Sequence, residues 1–436
     1  MNRHWIIAAS LVAAPAAAQT APLRLGLGDA VRSAIEHSAV AEIARLRVDE
    51  SRARVNQARS ALLPNLSADV LQSGRTFNTA TFGLALPGFD PNGQVEGPVN
   101  TLDVRGRIGQ SIFDQGARLR VQAARAAVTA SDAEARAAAE QAATAAGVAY
   151  VRALRAEGQL RSRIADSSLS SELLGIARDL LESGVGIALD VTRAQSQLAG
   201  VRAQLIAARN DRSRARLELL RAIGVPLDTP IELTDTLAAT APDSALDEQQ
   251  AVDVALRERA DVRAAREQMN AIHTQIQAIR AERLPTLGLV ADNGLIGKTP
   301  AHLLSTYTWG VQLSVPLFDG ARRQSRIAEE SAVERELVVR ERDLRNQVTV
   351  EVRGAVLDIA SAREQVEAAR ERVRLAEQEV SQARERFAAG VAGNADVISA
   401  SLSLSGARTA LVDSEALFES ARVALARAQG TLTTIR

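Results

Sequence analysis

Cysteine is absent from the whole chain. That excludes a disulfide framework and a lipid anchor on cysteine. Lysine is nearly absent too: Lys298 is the only one, and the rest of the basic charge is arginine. The 52 basic residues balance 52 acidic ones, so no net field draws the chain to nucleic acid or to an anionic surface. No stretch beyond the first residues reaches the roughly 18 uninterrupted apolar residues that a transmembrane helix needs. His37, His273 and His302 stand alone, with no i,i+4 histidine pair, so no metal site is expected. Neither a phosphate-binding loop nor a serine in a recognisable elbow is present. No enzyme activity and no cofactor are therefore expected.

Proline is missing from Leu119 through Val225 and from Leu317 to the last residue. Because proline costs about 3 kcal/mol inside a helix, these stretches can hold very long helices. Alanine, arginine, glutamate and leucine fill them, and all are good helix formers.

What the chain does contain, it contains twice. Leu62-Leu63-Pro64-Asn65-Leu66 returns as Arg283-Leu284-Pro285-Thr286-Leu287, and Phe113-Asp114-Gln115-Gly116 returns as Phe318-Asp319-Gly320. Gly184 through Asp190 returns as Gly390 through Asp396, and Gly224 returns as Gly430. A repeat this long makes one structural unit, used twice, the basis of the fold. The expected division is a signal peptide over 1–18, a first repeat over 19–226, a linker over 227–246 and a second repeat over 247–436. Arg3 and His4, the apolar run from Trp5 to Val12 and Ala16-Ala17-Ala18 mark the signal.

The helical parts carry a heptad. Val352, Ile359, Val366, Val373, Val380 and Phe387 are seven apart, and Val348, Ala355, Ala362, Ala369, Ala376 and Ala383 form a second series. Together they make an a/d seam. Beyond Gly390 the pattern resumes in Val397, Leu404, Leu411, Phe418, Leu425 and Leu432. Helical hairpins are predicted over 117–224 and 320–430. Ala321 to Phe387 would run roughly 100 Å at 1.5 Å per residue, and each return arm is about half that. Leu27 to Leu63 and Asp247 to Leu284 read as two further half-length helices. Two of these stacked end to end match one long helix, which suggests a tall cylinder with a waist.

Between the helices the period changes to two. Leu102, Val104, Gly106, Ile108, Gln110 and Ile112 share one face, and Asp103, Arg105, Arg107, Gly109 and Ser111 the other. Tyr307, Trp309, Val311, Leu313 and Val315 alternate with Thr308, Gly310, Gln312 and Ser314. Strands are predicted near 64–74, 102–113, 285–292 and 306–316. Seven of the ten aromatics after the signal fall between Pro64 and Gly116 or between Pro285 and Gly320. Alternating strands with aromatics toward one end mark a transmembrane β-barrel. Val104, Ile108, Trp309, Val311 and Leu313 would face lipid, and Arg105 and Arg107 the lumen. Four strands leave two open edges, which lipid does not tolerate, so the barrel must be shared between chains.

On these motifs the chain resembles the TolC-like outer-membrane efflux proteins. The resemblance rests on the duplicated Leu-Pro-x-Leu segments, the Phe-Asp-Gly exits and the tip pattern Gly-x5-Asp-Val, seen in Gly184…Asp190-Val191 and Gly390…Asp396-Val397. It implies a mainly α protein with a β-barrel portion: a homotrimer with a 12-stranded barrel in the outer membrane and a periplasmic α-helical tunnel. It also implies an exit duct for efflux or type I secretion. The partners would be a periplasmic adaptor and an inner-membrane pump of RND, ABC or MFS type. By the same resemblance Asp396, Asp190, Phe387 and Ser399 belong to the periplasmic aperture, and Gly184, Gly186, Gly390 and Gly393 to the tips that meet the adaptor. The chain departs from the family pattern at Phe387, Ala392 and Ser399, where some members have a tyrosine, an arginine and a second aspartate. Read from the residues alone, Asp190 and Asp396 are equally well explained as helix N-caps. An exported coiled coil that spaces or tethers the envelope is the alternative function, but it leaves the amphipathic hairpins without a purpose.

Overall fold

The computed structural model describes residues 22–82, 90, 93–237 and 247–434. The expected signal peptide and part of the linker lie outside them. The first repeat opens with a short strand β1 (Leu23–Leu25), then helices α1 (Leu27–His37) and α2 (Ala39–Ser60). Strands β2 (Asn65–Asn78) and β3 (Val95–Phe113) follow, then the long helix α3 (Gln115–Glu182) and its return arm α4 (Ala188–Ile223). The second repeat has the same plan. After β4 (Ile231–Leu233) come α5 (Glu248–Glu258), α6 (Ala260–Ala281), β5 (Thr286–Gly297), β6 (Leu303–Ser314), α7 (Arg322–Ala388) and α8 (Asn394–Ala428).

The long helices have 68 and 67 residues, about 100 Å each at 1.5 Å per residue. Toward the sheet, α3 packs on α2 and α6, through contacts such as Ser51–Ser131 and Gln268–Glu134. Toward the far end it packs on α4 and α8, where Arg155 meets Asp413 and Arg163 meets Ser405. The heptad forms the seam between α7 and α8. Val352 and Val366 of α7 and Val397 of α8 are fully buried along it, with alanines at the alternate positions, and Val348 is buried in the cluster that takes in Ala251, Val252 and Ala255 of α5. Each buried valine contributes about 1.5–3 kcal/mol relative to exposure, and the small alanines let the backbones come close.

Two expectations need correction. Neither half-length helix is continuous. Leu27 to Leu63 breaks at Ser38, and Asp247 to Leu284 breaks at Arg259, each a single residue with extended backbone angles. The strands are also longer than the period-two runs suggest, because pairing continues into Gly- and Thr-containing ends with no apolar alternation.

The waist has its own core. Leu25, Val31, Tyr150, Leu219, Ile223 and Val423 are buried together. The linker is not wholly irregular: β4 pairs in parallel with β1, Leu23 to Ile231 and Leu25 to Leu233. The single proton of the Tyr150 hydroxyl is shared between two acceptors, the Leu25 carbonyl (3.0 Å) and the Asp235 carboxylate (2.8 Å), and Asp235 also accepts from the Leu27 N–H (2.9 Å). One buried phenol thus ties the start of the first repeat to the segment that leads into the second. Burial together with the Asp235 carboxylate raises the Tyr150 hydroxyl above the ordinary tyrosine range, so it stays a donor.

Candidate functional site: a two-faced sheet and a pair of tips

The two hairpins join into one antiparallel sheet in the order β2-β3-β5-β6. Its register places side chains by face. Leu66, Ile108, Ala291 and Trp309 stand across one row, Val70, Val104 and Leu295 across another, and Leu289 and Val311 across a third. Leu313 pairs with Leu287 on the same face. This face is apolar and unpacked in the single chain: Trp309 is 71% exposed and Val311 58%. The opposite face is polar. Arg105 donates to Asp292, to Asp103 (3.3 Å) and to Thr306 Oγ1 (3.3 Å). Arg107 pairs with Asp69 at 3.2 Å. Arginines on this face therefore have carboxylates from three strands as partners. Strands β2 and β6 are the sheet's edges and pair with no other strand among the described residues. Among those residues, too, no helix is long and apolar enough to cross a membrane.

The far ends of the helices turn in the same way twice. Gly184 (φ 80°) and Gly390 (φ 70°) take left-handed angles, which glycine adopts without a steric penalty. The N–H groups of Val185 and Gly186 return to the Leu180 carbonyl, and those of Val391 and Ala392 to the Arg386 carbonyl. This arrangement satisfies carbonyls left over at a helix end. Gly186 is crowded, since a Cβ there would lie 3.0 Å from Leu180. Gly393 stands in open space and is the N-cap of α8. Val185, Ile187, Leu189 and Val391 project from the tips as exposed apolar side chains.

The capping explanation of the two aspartates fails. The N-caps are Ile187 and Gly393, and neither makes a side-chain cap hydrogen bond. Asp190 and Asp396 sit inside the first turns, where a negative charge suits the helix dipole. Asp190 lies 3.7 Å from Arg193. Asp396 and Ser399 are exposed on α8. Phe387 is 2% exposed and packs with Leu173 and Leu198 of the first hairpin and Val397 of the second. The sequence reading missed Asn394, which is fully buried between the tips. No periodic signal marks a polar residue at such a place. Among the described residues no group of three or more His, Cys, Asp or Glu side chains gathers to hold a metal ion.

Comparison with known proteins agrees with the duplication. The family profile described as "Outer membrane efflux protein" matches residues 31–225 and 251–431, one stretch in each repeat. The alkaline protease secretion protein AprF of Pseudomonas aeruginosa is 27% identical over 307 residues, which cover 68% of this chain and 62% of AprF. The chain thus spans less than two thirds of that relative. Protein CyaE of Bordetella pertussis is 28% identical over 422 residues, 94% of this chain and 84% of CyaE. The probable efflux pump outer membrane protein TtgC of Pseudomonas putida is 24% identical over 253 residues, 55% of this chain and 50% of TtgC. Among solved structures, the Campylobacter jejuni CmeC outer membrane channel superposes with a TM-score of 0.76 at 17% identity, over 93% of this chain and 85% of CmeC. The Vibrio cholerae outer membrane protein VceC gives 0.72 at 21% identity, over 93% and 96%.

Proposed function

The chain belongs to the outer membrane efflux protein family, and we propose that it is the outer-membrane exit duct of an efflux or secretion system. The duct is passive. It receives substrate from a periplasmic adaptor and an inner-membrane pump and conducts it outside. One observation carries this reading: a four-stranded sheet with an exposed apolar face, a charged polar face and two open edges. Lipid requires every backbone group to be paired, so such a sheet is complete only when its edges meet other copies. Three copies give 12 strands, four from each, with Val104, Ile108, Trp309, Val311 and Leu313 toward lipid and Arg105 and Arg107 toward the lumen. The relatives support both branches of the reading, since AprF is a protease secretion protein and TtgC an efflux pump component.

In this assembly the tips form the periplasmic entrance. The exposed apolar side chains beside Gly184, Gly186, Gly390 and Gly393 offer the adaptor a surface. Three copies of Asp396, with Asp190 and Ser399 nearby, ring the axis. Carboxylates gathered this way attract cations. The first test is mass in detergent, where the protein should run at three times the chain mass; a stable folded monomer rejects the reading. The second is single-channel recording in planar bilayers. The wild type should prefer cations and show modest block by multivalent cations, and Asp396→Asn should weaken both. Unchanged selectivity and block would remove Asp396 from the aperture.

A further inference from the structure

The two tips of one chain are fastened to each other. Asn394, the first residue of α8, has no exposed surface. Its Nδ2 donates to the main-chain carbonyl of Asp190 in α4 at 2.8 Å, across 204 positions of sequence. Phe387 and Val397 close the same boundary against Leu173 and Leu198. At the turns, a Cβ on Gly390 would stand 3.1 Å from Val185 Cγ1, so the tips also touch there. Phe387 brings no hydroxyl to this boundary and Ala392 no charge.

The other end of the same amide is unsatisfied: Asn394 Oδ1 is buried and has no hydrogen-bond partner. A buried acceptor without a donor is destabilising, because it has lost its water and gained nothing in return. One side chain therefore both holds the tips together and favours their parting. Parting the tips would break the Nδ2 bond and return the Oδ1 to water.

We propose that Asn394 is the gate-positioning residue of the duct: its buried amide fastens the α8 tip to the α4 tip within one chain and sets how readily the entrance widens. This rests on the reading of the tips as the entrance. Asp190 takes part through its backbone carbonyl, so the tie does not depend on the charge of its side chain.

The test is single-channel recording of the full-length wild type, Asn394→Asp and Asn394→Leu, with detergent mass and thermal midpoint measured on each. Asn394→Asp replaces the donor with an oxygen that faces the Asp190 carbonyl. It should raise occupancy of the wide state about tenfold, a shift of about 1.4 kcal/mol. Asn394→Leu keeps similar volume and removes both the donor and the orphan acceptor. It should raise occupancy by less than Asn394→Asp, with mass unchanged. If both variants assemble and conduct as the wild type does, the proposal falls, even where the thermal midpoint drops. If the wild type itself gives no channel, the proposed function fails instead.

Discussion

In the first repeat the short helices part at Ser38; in the second they part at Arg259. The backbone solution is shared. Ser38 has φ −67° and ψ 144°, and Arg259 has φ −63° and ψ 130°. Each donates its N–H to the carbonyl four residues back, Ala34 or Ala255, at 3.1 Å. Each also meets a left-handed glycine beyond the return helix, Gly224 (φ 75°) or Gly430 (φ 71°). The side-chain chemistry differs. The Ser38 hydroxyl caps the next helix by accepting from the Ala41 N–H at 3.3 Å. Arg259 makes no side-chain cap. Its buried guanidinium instead bridges Asp261 and Glu351, each at 2.6 Å. The break thus belongs to the duplicated frame, where a return helix ends against it. The chemistry that holds the break open is a local choice, a neutral cap in one copy and an ion-pair network in the other.

The glycine contacts give the largest expected difference between the copies. A Cβ on Gly224 would lie 2.2 Å from the His37 carbonyl oxygen and 2.5 Å from its carbon. On Gly430 the nearest atoms, Arg259 Cα and N, are 3.1 Å away. A left-handed angle costs an L-residue about 1–2 kcal/mol, and forced overpacking adds about 1–3 kcal/mol. Gly224→Ala should therefore destabilise by about 2–5 kcal/mol, the sum of both effects, and Gly430→Ala by little more than the backbone effect alone. Thermal midpoints in detergent read the difference. Equal losses would show that the two return helices close on their breaks equally tightly.

These breaks also mark where the sequence stopped being legible. The duplication, the heptads and the alternating strands could be read because each repeats its pattern over many residues. The sheet faces followed from the same alternation, so Arg105 and Trp309 fell on opposite sides before any register was known. A one-residue break has no period. Ser38 and Arg259 carry no proline or glycine, and the residues that enforce them, Gly224 and Gly430, lie far along the chain. The β1–β4 pair spans three residues on each strand, too few to alternate recognisably. At the tips the glycine turns were legible, but the aspartates read wrongly as N-caps, because the caps, Ile187 and Gly393, lie three residues before them. Asn394 speaks to a main-chain carbonyl, and a carbonyl leaves no trace in the sequence.

The next contrast is electrostatic. Arg259 is 4% exposed. Removing one member of a buried ion pair costs about 3–5 kcal/mol. Asp261 and Glu351 keep some contact with solvent, so Arg259→Ala should lie at the low end, about 3 kcal/mol. Burial pushes both carboxyls up, but the hydrogen bonds and charge of Arg259 outweigh it and hold them below their ordinary values. A carboxylate with a lowered folded pKa stabilises fully above its unfolded value and loses that contribution as pH falls through the folded one. The unfolded references are 3.8 for Asp261 and 4.5 for Glu351. The wild type should therefore lose thermal stability below about pH 4.5, and Arg259→Gln should flatten that acid limb. An acid limb of unchanged steepness in the variant would show that carboxylates elsewhere produce it.

Ser38 supplies the smallest effect and the sharpest check on the comparison. It is a buried cap with one donor to satisfy, so Ser38→Ala should cost about 1 kcal/mol, and Ser38→Gly a few tenths, because glycine is itself a tolerated cap. Neither variant should change the acid limb, since no titratable side chain takes part in this cap. Ser38 and Arg259 share no hydrogen-bond partner, so the double variant Ser38→Ala/Arg259→Ala should lose the sum of the two single losses to within about 0.5 kcal/mol. A larger departure would mean that the two breaks are one cooperative waist, coupled through α3 and the helices packed on it. In that case the duplicated frame, rather than the chemistry at each copy, would set the stability of the molecule's middle.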